Sequence, residues 1–332
     1  MKKVRYGREQ LFYLCSFVFV MVFLLFVAPN IFHPFFLFTA SKVMFLGLLV
    51  MSLCLVTGYG GLTSLAQASF AGIAGYAVAI GQVWQGWSFS QSALIGLALT
   101  VGIAVIFAAF SVRSHGTYFF MLTLAFSNLV YLSSIQWVEL TRGFNGVIGV
   151  PGPYIFGRMY IGTRLVYYII AVVVPVCYVI LKRIVNSPFG IALQGVRDNK
   201  VKMSSLGFNV NLIRVMAFTI GSFFAGISGI LSTTFYGMIA PDMVSVSVGL
   251  MVLFMAILGC VKKIEGALLG AFVYVIFEDF VSQYTLRYQS LIGILFVLIV
   301  LFMPGGILGH PIFDKPGETL RSFISGKKAK RA

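Results

Sequence analysis

Residues 187–209, SPFGIALQGVRDNKVKMSSLGFN, form a long polar stretch in the middle of an otherwise apolar chain. Arg197, Asp198, Lys200 and Lys202 all fall within it. Ser187 before Pro188 has the form of a helix N-cap followed by proline at the first helical position, where a missing N–H costs nothing. Phe189, Leu193 and Val196 then recur at i, i+4 and i+7, the spacing of one helix face. Gly207 can stop that helix, and Asn209 or Asn211 can cap the next. The stretch reads as one short amphipathic helix, or two, between longer apolar segments. Three roles fit it: a helix lying on a membrane surface, an irregular solvated loop, or a docking helix for another protein.

The flanking sequence sets the fold class. The chain has 332 residues, 59% hydrophobic and 10% charged, with mean hydropathy +0.98. A soluble domain carries roughly 25% charged residues. Ten apolar runs approach the length of a spanning helix, about 20 residues: 11–28, 37–56, 62–84, 91–111, 117–136, 165–181, 213–235, 244–261, 264–281 and 286–303. The pattern predicts an all-α, polytopic membrane helix bundle of about ten spans, in one transmembrane domain over 1–332. The bundle proper covers 11–303, with a cytoplasmic segment at 187–209 and a basic tail over 304–332. Very short connections within 37–84 and 244–281 admit a re-entrant segment there. The first run exceeds a signal-peptide core and is followed by no small-x-small cleavage site, so it is expected to be an uncleaved span.

The formal charge is +15. In a soluble protein that would suggest nucleic acid. Here the basic residues occupy the gaps between apolar runs, so the reading is cytoplasmic loops facing anionic lipid, with no nucleic-acid partner. With the N-terminus inside, 19 of the 24 Lys and Arg residues fall on the inner side. An even number of spans then places both termini in the cytoplasm.

Enzyme chemistry has little to build on. Cys15, Cys54, Cys177 and Cys260 lie in apolar runs and form no CxxC pair. His33, His115 and His310 are in separate segments without metal-ligand spacing. No catalytic constellation and no phosphate-cradling G-x-x-x-x-G-K-[ST] occurs. No cofactor or metal is therefore assigned to this chain.

Polar residues within the spans are few. TGYGG, residues 57–61, resists regular helix, and Ser64, Gln67 and Ser69 follow it closely. A helix broken at a cavity would present an N-terminus and free backbone groups, which suit a carboxylate. A tight turn leading into a small-residue packing helix reads equally from the same residues. Thr123, Ser127 and Asn128 make a second polar group on the fifth span, suited to a solute path or to a bond with a neighbouring helix. Glu278 and Asp279 are adjacent carboxylates, expected at a solvated span end. FAGIAG at 70–75 returns as FAGISG at 224–229, which reads as small-residue helix packing.

GIALQGVRDNK…LGFNV…AFTIGSFFAGISG resembles the cytoplasmic coupling loop and following helix of branched-chain amino-acid ABC transporter permeases of the LivM type. Four further segments resemble that family in order: GYGGLTSLAQASFAGIAGYA (58–77), RSHGTYFFMLTLAF (113–126), TRGFNGVIGVPGP (141–153) and ILGCVKKIEGALLGA (257–271). Ala66, Arg142, Cys260 and Lys262 stand where the family pattern has glycine. The resemblance implies an importer subunit that works by alternating access. Its implied partners are a homologous permease, two ABC ATPase subunits that use ATP-Mg, and an extracytoplasmic solute-binding protein. It further implies a coupling helix from Gly190 to Gly207, with Arg197, Asp198 and Asn199 as candidate ATPase contacts. Ser64, Gln67, Thr123 and Asn128 become candidates for the substrate path, and Arg142 and Asn145 for contact with the binding protein. The solute would be a branched-chain amino acid or a related small polar molecule such as urea. A self-sufficient secondary transporter or channel is the alternative, and the scarcity of ionisable residues within spans argues against it.

Overall fold

A computed structural model describes residues 34–309 apart from 115, 153, 156, 157, 160–162, 286, 303 and 304. The expected first span, 11–28, and nearly all of the basic tail lie outside the described residues. Twelve α-helices are described: α1 Pro34–Leu53, α2 Gln67–Val83, α3 Phe89–Ser111, α4 Thr117–Gln136, α5 Val138–Thr141, α6 Thr163–Asn186, α7 Pro188–Asp198, α8 Lys200–Ser205, α9 Val210–Tyr236, α10 Val246–Gly259, α11 Ile264–Ser282 and α12 Tyr288–Phe302. Four two-residue strands sit between them. β1 (Val147–Ile148) pairs antiparallel with β4 (Met238–Ile239), and β2 (Tyr154–Ile155) pairs with β3 (Arg158–Met159).

The molecule is a helical membrane bundle. Among the described residues five helical stretches are long and apolar enough to cross a bilayer: 35–59, 89–111, 117–136, 166–186 and 210–236. α10 and α11 meet that test together but bend by 114° at residues 260–263, so they form a broken span or a re-entrant pair. This is one of the two places where the sequence admitted a re-entrant segment. α2 has 17 residues and α12 has 15, fewer than the runs bracketed around them. In α2 the shortfall is at the start, because 60–66 is not helical.

The core follows the small residues. α1 contributes Leu48, Val50, Met51 and Leu53, all buried, and packs against α6, α9 and α11. α2 crosses α9 where the two halves of the internal repeat meet. A side chain on Gly229 would collide with the carbonyl of Ala71, and one on Gly75 would meet Thr233 and Ile239. FAGIAG and FAGISG are thus two faces of one close helix crossing, the packing role expected of such residues.

Polar contacts sort the two ends of the bundle. At one end Arg214 donates from Nη1 to the carbonyl of Val112 (2.8 Å), Lys182 pairs with Glu265, and Lys263 donates to the carbonyl of Leu308 (3.1 Å). At the other, β1 pairs with β4, and the Arg142 guanidinium lies 5.1 Å from the Trp84 ring. Segments expected on the same side of the membrane therefore meet one another. Arg214, at the start of the expected span 213–235, sits inside α9 and is 1% exposed. Glu278 and Asp279 were expected to be solvated. Both accept from Lys42 Nζ, at 3.0 and 3.1 Å, and Asp279 also accepts from Thr39 at 3.2 Å.

Candidate functional site

The site is built around a break in the helical run. α1 continues as a π-helix over Cys54–Tyr59, then the chain runs without helix to Ala66 before α2 begins. The glycines of TGYGG account for the break. Gly58 presses on the carbonyl of Val261, in the elbow between α10 and α11, and has no room for a side chain. Gly61 has φ +66°, a left-handed conformation that glycine adopts without penalty.

The extended segment is pinned by α4. The Leu65 N–H donates to Thr123 Oγ1 (3.2 Å), and the Leu65 carbonyl accepts from Ser127 Oγ (3.2 Å). Ser64 Oγ accepts from the Ala66 N–H at 3.2 Å. Ala66 supplies no side-chain cap, so the first turn of α2 keeps its free N–H donors and positive dipole end. Gln67 and Ser69 lie in that turn and are 1% and 0% exposed. Gln67 Oε1 is 3.4 Å from Ser52 Oγ, while Gln67 Nε2 and Ser69 Oγ are buried without a partner. Leaving such groups unpaired costs roughly 1–3 kcal/mol each. The arrangement is chemically a set of donors facing inward at a helix N-terminus, apt for an anionic group.

Three of the four expected path residues, Ser64, Gln67 and Thr123, come together here. Asn128 does not. It sits on the exposed face of α4, while Thr123 and Ser127 face the cluster. Ser52 belongs to the cluster and was not singled out from the sequence, where it is one hydroxyl in a long apolar run.

The stretch at 187–209 forms two helices, α7 and α8. Ser187 Oγ accepts from the Gly190 N–H (3.4 Å), Asn199 Oδ1 from Lys202 (3.0 Å) and Asn209 Oδ1 from Leu212 (3.1 Å). Asn209 is therefore the cap of α9, and Gly207, with φ +86°, ends α8. A side chain on Gly190 would strike the carbonyl of Val185, so glycine permits the sharp turn from α6 into α7. Leu193 and Val196 are buried, while Ile191, Val201, Leu206 and Phe208 remain exposed. The charged pair stays joined, Arg197 Nε donating to Asp198 Oδ1 (2.9 Å), but Arg197 also turns inward and donates from Nη1 to the Gly58 carbonyl (2.7 Å), while Asp198 is exposed. Burial, then the nearby Arg214 charge, lowers the Lys200 ammonium below its usual value.

At the opposite end Arg142, Phe144 and Asn145 are exposed on a loop held by the β1–β4 pair. Arg142 has φ +61° and Cys260 φ +109°, the two non-glycine residues with positive φ among those described. Both stand where the resemblance expects glycine, which adopts positive φ without penalty, so a side chain at either position carries a cost in strain.

The fold and the site define a multi-pass helical membrane protein with a broken helix at its centre and a paired helix at one end. A family model described as "Branched-chain amino acid transport system / permease component" matches residues 35–303. The chain belongs to that family. It is 24% identical over 292 residues to the high-affinity branched-chain amino acid transport system permease protein LivM of Escherichia coli K12, covering 81% of this chain and 69% of the relative. It is 26% identical over 255 residues to a probable LivM permease of Methanocaldococcus jannaschii, covering 70% and 72%. It is 32% identical over 131 residues to the LivH permease of Escherichia coli K12, covering 39% and 42%. No solved structure matches the chain.

Proposed function

We propose that this chain is the membrane permease subunit of an ABC importer that moves branched-chain amino acids inward by alternating access. A homologous permease completes the pathway, two ATPase subunits dock at α7 and α8, and an extracytoplasmic binding protein delivers the solute to the loop carrying Arg142 and Asn145. ATP-Mg is used in the ATPases, and this chain binds no cofactor of its own. On this reading the whole chain is one domain of about ten spans in the plasma membrane, with both termini and α7–α8 in the cytoplasm.

The observation that carries the solute assignment is the buried N-terminus of α2, with the Gln67 amide and Ser69 hydroxyl unpaired beside it. A zwitterion's carboxylate would be stabilised by these donors, and its branched apolar side chain would lie against the surrounding Leu, Val and Phe residues. Urea carries no net charge, so its carbonyl would gain less from the helix dipole than a carboxylate does.

The test is uptake by the complete transporter in proteoliposomes, with radiolabelled L-leucine and urea compared directly. Gln67→Leu removes the amide while keeping the volume, and is expected to cut ATP-driven leucine uptake about tenfold, the effect of one lost hydrogen bond to a charged group. Wild-type vesicles that accumulate urea but not leucine would overturn the amino-acid assignment. Leucine uptake unaffected by Gln67→Leu would remove Gln67 from the path.

A further inference from the structure

Arg197 lies on the helix assigned above to ATPase docking, yet its guanidinium is committed to the protein's own interior. Nη1 donates to the carbonyl of Gly58 at 2.7 Å, and Nε donates to Asp198 at 2.9 Å. The second bond holds the guanidinium fork while the first reaches the break in the helical run. That break ends a π-helix, whose C-terminus carries the negative end of the helix dipole. The carbonyls of Leu55, Val56 and Thr57 accept from the N–H groups of Gly60, Leu62 and Gly61, and the next carbonyl, that of Gly58, takes Arg197 Nη1. A fixed cation there is favoured by charge as well as by hydrogen bonding.

The contact is more than one bond. The aliphatic stem of Arg197 lies across Gly61: a Cβ built there would be 2.6 Å from Arg197 Cγ and 3.3 Å from Arg197 Cβ. Leu193, one turn earlier on α7, lies 3.5 Å from where a Cβ on Gly60 would be. Two successive turns of α7 are thereby seated on the Gly58–Gly61 break. From there the chain continues in two directions. Gly58 is packed on the carbonyl of Val261, in the elbow joining α10 to α11. Gly61 donates to the Thr57 carbonyl (3.1 Å), Thr57 Oγ1 donates to the Leu62 carbonyl (3.1 Å), and Leu65, Ser64 and Gln67 follow in sequence. A displacement of α7, carried by the Arg197 and Leu193 side chains, thus reaches both the polar cluster and the bent pair through the closely fitted backbone of the break.

We propose that Arg197 is a positioning residue that couples α7 to the Gly58–Gly61 break and, through it, to the solute-facing cluster and the α10–α11 elbow. Its charge serves this internal joint, and Asp198 is left facing outward. The inference rests on reading α7 as the helix moved by the ATPases.

The joint can be cut and retied. In the complete transporter in proteoliposomes, Arg197→Ala is expected to leave ATP hydrolysis within about twofold of wild type while leucine uptake per ATP falls about tenfold, the scale of a lost coupling contact. A residue serving only stability would instead lower uptake, hydrolysis and membrane abundance together. The double variant Gly61→Cys/Arg197→Cys places two Cβ atoms close to the separation a disulfide spans, about 3.5–4.5 Å. Oxidation should restore uptake per ATP, and dithiothreitol should abolish it again, while each single cysteine variant should not respond. Full coupling in Arg197→Ala, a parallel loss of all three readouts, or no rescue by the disulfide would overturn the joint. A wild-type complex without ATP-driven leucine uptake would overturn the permease assignment and this inference with it. Variant results on an active wild type bear on the joint alone.

Discussion

Gly259 and Gly266 meet backbone to backbone: a Cβ on either would collide with the carbonyl of the other. Gly270 likewise has no room against the Met255 carbonyl. These contacts close the two arms of the α10–α11 elbow on each other, so the 114° bend is set by the absence of side chains rather than by proline.

Gly266→Ala should therefore pry the arms apart. Overpacking of a tight interface costs about 1–3 kcal/mol, and the expected result is a lower thermal unfolding midpoint in detergent. Gly293→Ala serves as the comparison. It lies in α12 with nothing within 4 Å of its added methyl, and is expected to be neutral or slightly stabilising.

Cys260 offers the reverse change. Its φ of +109° and ψ of 103° belong to a region in which side chains are strained, at about 1–3 kcal/mol. Cys260→Gly releases that strain at an entropic cost of about 0.4–1 kcal/mol in the unfolded chain. A net rise in the thermal midpoint is expected, and Cys260→Val, being β-branched, should lower it. Identical midpoints for all three would show that the backbone there relaxes freely.

Lys42 joins α1 to α11 through Glu278 and Asp279, with side chains only 16%, 18% and 24% exposed. Lys42→Met would leave two adjacent carboxylates without their counter-charge. The full penalty for breaking a buried pair is about 3–5 kcal/mol, and partial exposure reduces it here to about 1–3 kcal/mol. Adding Glu278→Gln and Asp279→Asn should recover most of the loss. A double-mutant cycle on thermal unfolding measures this coupling, and additive effects would mean that the three groups are independently solvated.

Local chemistry was legible where a feature needs only its neighbours in the chain. Ser187 and Asn209 act as caps because capping requires a short polar side chain and a following N–H a few residues on. The TGYGG break and the short connection between α10 and α11 were visible for the same reason. Positions 142 and 260 were visible as departures from a glycine pattern, although only the torsion angles give the reason. Helical phase separated the residues of the second polar group. Ser127 lies roughly 40° around the helix from Thr123 and shares its face, whereas Asn128 lies roughly 140° away. That phase is readable from sequence, but which face turns inward is not.

Composition and the spacing of apolar runs determined that the chain is a helical membrane bundle, because the bilayer admits few other ways to satisfy a backbone. They also set which loops are basic and where the helices break and are capped. The tertiary structure decided what depends on residues far apart in the chain: Arg197 turning to Gly58, Lys42 bridging to Glu278 and Asp279, Thr123 and Ser127 pinning Leu65. Such contacts depend on how helices cross, and crossings are fixed by the shapes of whole faces, with the glycines of α2, α9, α10 and α11 setting how closely those faces approach.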